Sequence, residues 1–114
     1  MDIEKEVLEQ ACFMMIAFSG AAKSDYMEGL ALAKKGQYDE AILALERGDD
    51  NFRQAHSAHF DLIQKEGSSE NGLLTRLLLV HAEDQMAMAE TTKMFVQELV
   101  ELYQLLKTKP QDEN

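Results

Sequence analysis

The sequence predicts an all-α fold of three long antiparallel helices per protomer, and three observations predict it. Helix-breaking residues cluster at only two internal places, KKGQYD at 34–39 and EGSSENG at 66–72. The stretches between them are rich in Ala, Leu, Met, Glu and Lys, while strand-favouring aromatics are scarce, with three Tyr, five Phe and no Trp. Within those stretches the apolar residues return in alternating steps of three and four, the spacing of one helix face. These signals place helices over 3–35, 38–66 and 72–107 in one domain spanning 1–107, followed by a frayed tail over 108–114.

The first helix opens on MDIEKEVLEQ, an acidic stretch without the basic region, apolar core and small-residue cleavage site of a signal peptide. From Ala11 to Phe18 it is apolar almost all round, which asks for more than one packing neighbour. Cys12, the only cysteine, lies in that run, so no internal disulfide is available and a buried packing thiol is expected.

The second helix carries a seam of Ile42, Leu45, Asp49, Phe52, His56, His59 and Ile63, three of whose seven members are polar. The third carries a longer one, Leu74, Leu78, His81, Gln85, Met88, Thr92, Phe95, Leu99, Leu102 and Leu106. Helices this long in a chain of 114 residues make a thin rod with much surface for its volume, so self-association into a larger bundle, an obligate homo-oligomer, is expected.

Folding helices 2 and 3 about the middle of the 67–72 loop sets side by side residues whose numbers sum to about 137. On that register His56 faces His81, His59 lies about one turn away, and all three histidines meet at one level. Reflection about Gly36 brings the small residues of AFSGAA, near 14–21, to the same height. Such a polar cluster costs stability unless its members are hydrogen-bonded, so it asks for a reason. Three readings stand side by side: core histidines satisfied by partners or setting register, a metal site of His56, His59, His81 and Asp84, or a histidine nucleophile that carries a group. Spacing alone does not choose among them.

The formal charge of −10 argues against nucleic acid and anionic membrane surfaces as partners and favours encounter with basic proteins. No apolar run approaches the roughly 20 residues of a membrane span. A soluble, cytoplasmic protein without membrane insertion is the expectation.

LLLVHAEDQ, at 77–85, resembles the LLLVHAQDH signature of the lactose/cellobiose-type IIA component of the bacterial phosphoenolpyruvate-dependent sugar phosphotransferase system. GAAKSDYMEGLALAKKGQYDEA is similar to that family's G-x-A-R-S…A-K-x-G-D-F-x-x-A segment, QAHSAHFDLIQKE to its A-H-x-x-Q-T-x-L-I-Q-x-E segment, and VQELVELYQLLK to its C-terminal helix. The resemblance implies a homotrimeric nine-helix bundle. It implies that His81 accepts a phosphoryl group from the general carrier HPr and passes it to a cysteine of the cognate IIB, during uptake of a lactose/cellobiose-type sugar through the membrane component IIC. It also implies that Asp84 points at the three-fold axis, where three copies bind one metal ion, with Mg²⁺ the hard dication suited to carboxylate oxygens. His56 keeps the family's A-H position and is a secondary, orienting site residue.

Two departures from the pattern bear on the site: Gln85 stands where the family has histidine, and His59 where it has glutamine. Gln85 can donate and accept hydrogen bonds near His81 but carries no charge, and His59, on the register above, would return an imidazole to the site. The reading from another class is a trimeric helical metal-binding or scaffolding protein without phosphotransfer. A histidine phosphotransfer domain of two-component signalling fits less well, because no lysine follows His81 closely enough to cover a phosphate. The transported sugar is not legible, since this component hands its phosphoryl group to a protein.

Overall fold

A computed structural model describes residues 3–68 and 77–108. They form three helices, α1 Ile3–Lys34, α2 Tyr38–Ser68 and α3 Leu77–Thr108, and the fold is all-α. The expected first turn of helix 3 at 72–76 and the tail at 109–114 lie outside the described residues.

The turn between α1 and α2 explains why the first break falls where it does. Gly36 takes a φ of +80°, in the left-handed region open to glycine. Its N–H donates to the Ala33 carbonyl and the Gln37 N–H to the Leu32 carbonyl, a paired closure that satisfies the last carbonyls of α1. Gln37 then accepts from the Ala41 N–H and opens α2. Asp39 and Glu40 in the first turn of α2, and Lys34, Lys65 and Lys107 in the last turns of the three helices, complement the helix dipoles. The far end of α3 is tied to this turn: Tyr38 Oη donates to the Tyr103 carbonyl at 3.0 Å, and Lys107 Nζ lies 5.2 Å from the centre of the Tyr38 ring.

α1 packs along both other helices, whereas α2 and α3 touch each other only lightly. The apolar run of α1 thus serves two neighbours within one protomer. Leu8, Cys12 and Met15 of α1 pack with Ala55, Ala58 and Leu62 of α2 and Ala82 and Met86 of α3. A second cluster joins Ala22, Tyr26 and Ala33 to Ala41, Val96 and Val100. Cys12 is fully buried, as expected; burial, and after it the charges of Glu83 and Glu9, push its thiol pKa up.

The helix seams require a correction. In α2 the buried stripe is Ala41, Ala44, Gly48, Ala55, Ala58 and Leu62, one residue before the seam read from the sequence. In α3 it is Ala82, Met86, Ala89, Val96 and Val100, one residue after. One residue is about 100° of helix, enough to exchange the buried face for its neighbour. The physical reason is closeness. A Cβ added at Gly29 would stand 3.0 Å from a Leu45 methyl and 3.2 Å from the Ala41 carbonyl, so small residues let the backbones approach.

As a result the larger apolar side chains point outward. Among the described residues eight of the sixteen buried hydrophobic ones are alanine, while fifteen larger ones, among them Phe95 at 66% and Leu106 at 60%, are exposed on the protomer. A large side chain contributes about 1.5–3 kcal/mol when buried and alanine much less, so the protomer alone leaves part of its available hydrophobic stabilisation unused.

Between the two apolar clusters lies a polar node that joins all three helices. Tyr26 Oη donates to Asp49 Oδ1 at 2.7 Å, and Lys93 Nζ stands 2.8 Å from the same oxygen. Asn51 donates to Asp25 at 2.8 Å and Arg47 to Glu28 at 2.9 Å beside it. Burial, then the hydrogen bond to Asp49 and its charge, hold the Tyr26 phenol pKa well above its ordinary value. The folded state therefore keeps a proton that the unfolded chain releases near pH 10, so this contribution is complete below about pH 10 and is lost as pH rises beyond it. Urea titrations at pH 8 and pH 11 are expected to show a larger loss of stability in the wild type than in Tyr26→Phe. Equal losses would remove Tyr26 as the source.

Candidate functional site

His81 is the fifth residue of α3 and is exposed on the protomer. It shares a stripe of α3 with Gln85, Met88, Thr92, Phe95, Leu99, Leu102 and Leu106, whose larger apolar members are uncovered. Asp84, three residues on, borders the same stripe and is also exposed. Gln85 is half-buried, and its amide nitrogen lies 3.9 Å from the Met88 sulfur. Among the described residues no side-chain hydrogen bond or ion pair engages His56, His81 or Asp84. The ring nitrogens of His81 are thus open to an incoming reactant.

The convergence of the three histidines is corrected by the register. The contacts across α2 and α3 pair His59 with Glu83 and Asp49 with Lys93, residue numbers that sum to 142 and not 137. Five residues of slip move His56 about 7.5 Å along the axis from the level of His81, at roughly 1.5 Å per residue. α2 runs two residues further than expected, to Ser68. α1 meets Ala82 and Met86 through Leu8, Cys12 and Met15, and not through the small residues of AFSGAA.

His59 does not sit beside His81. Its Nε2 is 2.8 Å from Glu83 Oε2. Glu83 is two residues past His81, about 200° around α3, so the pair occupies the flank turned away from His81. The idea that His59 returns an imidazole to the site fails within the protomer for that reason. The four-residue metal set of His56, His59, His81 and Asp84 fails likewise, since among the described residues no group of three or more His, Cys, Asp or Glu side chains is placed to hold a metal ion. Asp84 supplies one carboxylate per chain, and an axial site would be built only by an assembly. Glu83 was passed over by the sequence reading; nothing in the spacing of α3 marks it, because its significance comes from the residue across the groove.

What the arrangement offers chemically is an accessible imidazole on an uncovered apolar stripe, with the Asp84 carboxylate bordering it and Glu83 turned to the opposite flank. Imidazole is a nucleophile near neutral pH.

Residues 10–104 match the family described as PTS system, Lactose/Cellobiose specific IIA subunit. The chain is 37% identical over 99 residues to the lichenan-specific phosphotransferase enzyme IIA component of Bacillus subtilis (strain 168), covering 87% of this chain and 89% of that protein. It is 36% identical over 95 residues to an oligo-beta-mannoside-specific EIIA component of the same organism, covering 83% and 86%. The crystal structure of the PTS cellobiose-specific enzyme IIA from Bacillus anthracis superposes with a TM-score of 0.85 at 33% identity, covering 96% of each chain.

Proposed function

Because the chain belongs to the lactose/cellobiose-specific IIA family of the phosphotransferase system, we propose that it carries a phosphoryl group on His81 between HPr and a cognate IIB. The observation that supports this reading is the unengaged imidazole of His81, exposed on the protomer near the Leu77 end of α3. In the first step a lone pair of the His81 ring attacks phosphorus while the P–N bond of the donor phosphohistidine breaks, returning neutral imidazole to HPr. In the second a thiolate of IIB attacks the same phosphorus and His81 leaves as the neutral ring. Little covalent chemistry falls to the surrounding protein, so its work is alignment of donor and acceptor. The chain's charge of −10 speeds encounter with a basic donor face. The reaction belongs to the cytoplasmic side, where phosphoenolpyruvate is supplied, and the sugar finally phosphorylated is of the lactose/cellobiose type.

The uncovered stripe supports a homotrimer, three copies burying Met88, Phe95, Leu99, Leu102 and Leu106 against one another. On that axis Asp84 is the residue fitted to hold a Mg²⁺ ion, because three exposed carboxylates brought together repel unless a hard cation or protons neutralise them. The ion would supply charge neutralisation at the assembly axis. His56, exposed on α2, is a secondary orienting residue toward the partner. Replacing Asp84 by alanine is expected to abolish stoichiometric Mg²⁺ binding, read by calorimetry, and sedimentation would report whether the trimer holds without it. Retention of metal binding in Asp84→Ala would exclude the axial role.

The carrier reading is tested by incubating the protein with phosphoenolpyruvate, enzyme I and HPr and weighing it intact. One acid-labile phosphoryl per chain is expected. A wild type whose mass does not change returns the protein to the scaffolding reading.

A further inference from the structure

The polar links between α2 and α3 among the described residues form a sparse ladder. Its rungs are Tyr38 to the Tyr103 carbonyl, Asp49 to Lys93, and His59 to Glu83, each set about ten residues from the next. Ten residues of helix are about 15 Å, so the half of α3 that carries His81 is joined to α2 by the His59–Glu83 rung. The rest of its described attachment is apolar, through Ala82 and Met86 with Leu78 and Leu79 packed beside them. Apolar contact is non-directional and fixes the angle of a helix less closely than a hydrogen bond does.

His59 and Glu83 meet at 2.8 Å in a surface contact, with side chains 24% and 48% exposed. It engages the flank of α3 opposite His81 and leaves the stripe with His81, Asp84 and Gln85 clear.

We infer that His59 and Glu83 are positioning residues for His81: the pair fixes the rotation of the first half of α3 against α2, and so the direction in which the His81 ring meets its reaction partner. The inference rests on the carrier reading above. Phosphoryl transfer depends on in-line alignment, so a small rotation of α3 acts on the rate of the step more than on capture of the partner.

The test compares His59→Ala, Glu83→Ala, the double alanine variant and the double variant His59→Gln/Glu83→Gln. Single-turnover uptake from phosphorylated HPr is measured together with amide hydrogen exchange over 78–90 and 93–107. Each single alanine variant is expected to slow maximal uptake about fivefold with KM for the donor unchanged. The double alanine variant should be no slower than either single one, because both remove the same contact. The double glutamine variant, which keeps a hydrogen-bonded bridge without charge, should return to within about twofold of wild type. Exchange should quicken over 78–90 in the alanine variants alone and stay constant over 93–107 in all. Unchanged exchange in both single variants, losses that multiply in the double alanine variant, or a double glutamine variant as slow as the alanines would each overturn the role. A wild type that accepts no phosphoryl overturns the carrier reading and this role with it. Failure of the role alone looks different: the wild type and the alanine variants are then labelled at one rate.

Discussion

His81→Ala is expected to leave the protein folded and unable to accept a phosphoryl group. The side chain is exposed and engages no described residue, so its loss opens no cavity and strands no partner. Helical circular dichroism and the melting temperature should stay close to wild type. The nucleophile, by contrast, has no substitute on its stripe: Gln85 has an amide of negligible nucleophilicity, and Asp84 a carboxylate that offers no imidazole nitrogen. Uptake from phosphorylated HPr should fall by about 10³-fold or more, since removing the attacking group ends the covalent route instead of misaligning it. His56 is the histidine that makes this a real test, because it is exposed too. Labelling that survived in His81→Ala and vanished in His56→Ala would move the acceptor to α2 and defeat the assignment.

Gly48→Ala is expected to cost more stability than the same substitution at Gly20 or Gly29. A Cβ built at Gly48 would lie 2.5 Å from Tyr26 Cε1, 2.7 Å from Cδ1 and 3.0 Å from Cζ. Tyr26 is fully buried and its hydroxyl is held by Asp49, so the ring cannot swing aside without breaking the node that joins the three helices. Overpacking of this kind costs about 1–3 kcal/mol, and loss of the buried hydrogen bond adds about 1–3 more. The better helix propensity of alanine returns only about 1 kcal/mol, so the clash wins. A melting temperature lower by roughly 10 °C is the expected reading. The mechanism is checked with Tyr26→Phe/Gly48→Ala and Tyr26→Leu/Gly48→Ala: the leucine background should recover part of the loss that the phenylalanine background, with its ring intact, does not. A Gly48→Ala protein that melts with the wild type would show that the ring has room.

The proposed acceptor and the architecture stand at different distances from the sequence. Two clusters of breakers separated by stretches of strong helix formers were enough for three helices, and Gly36 marks its turn because the left-handed conformation there favours glycine. LLLVHAEDQ, with the segments around it, was enough for the family. The stripe that holds the protomer together was not legible, because hydrophobic periodicity registers large side chains, and these helices meet through Ala41, Ala44, Gly48, Ala55, Ala58, Ala82 and Ala89. The pairing of His59 with Glu83 was likewise out of reach: it depends on a five-residue slip of register that only the contacts between α2 and α3 reveal.

By itself the sequence determined the helices, the break at Gly36 and the family, since backbone propensity and motif are properties of neighbouring residues. Tertiary structure alone decided which face of each helix is buried and which partner each polar residue meets. Faces lie about 100° apart per residue and small residues permit the closest approach, so the uncovered stripe that presents His81 follows from packing.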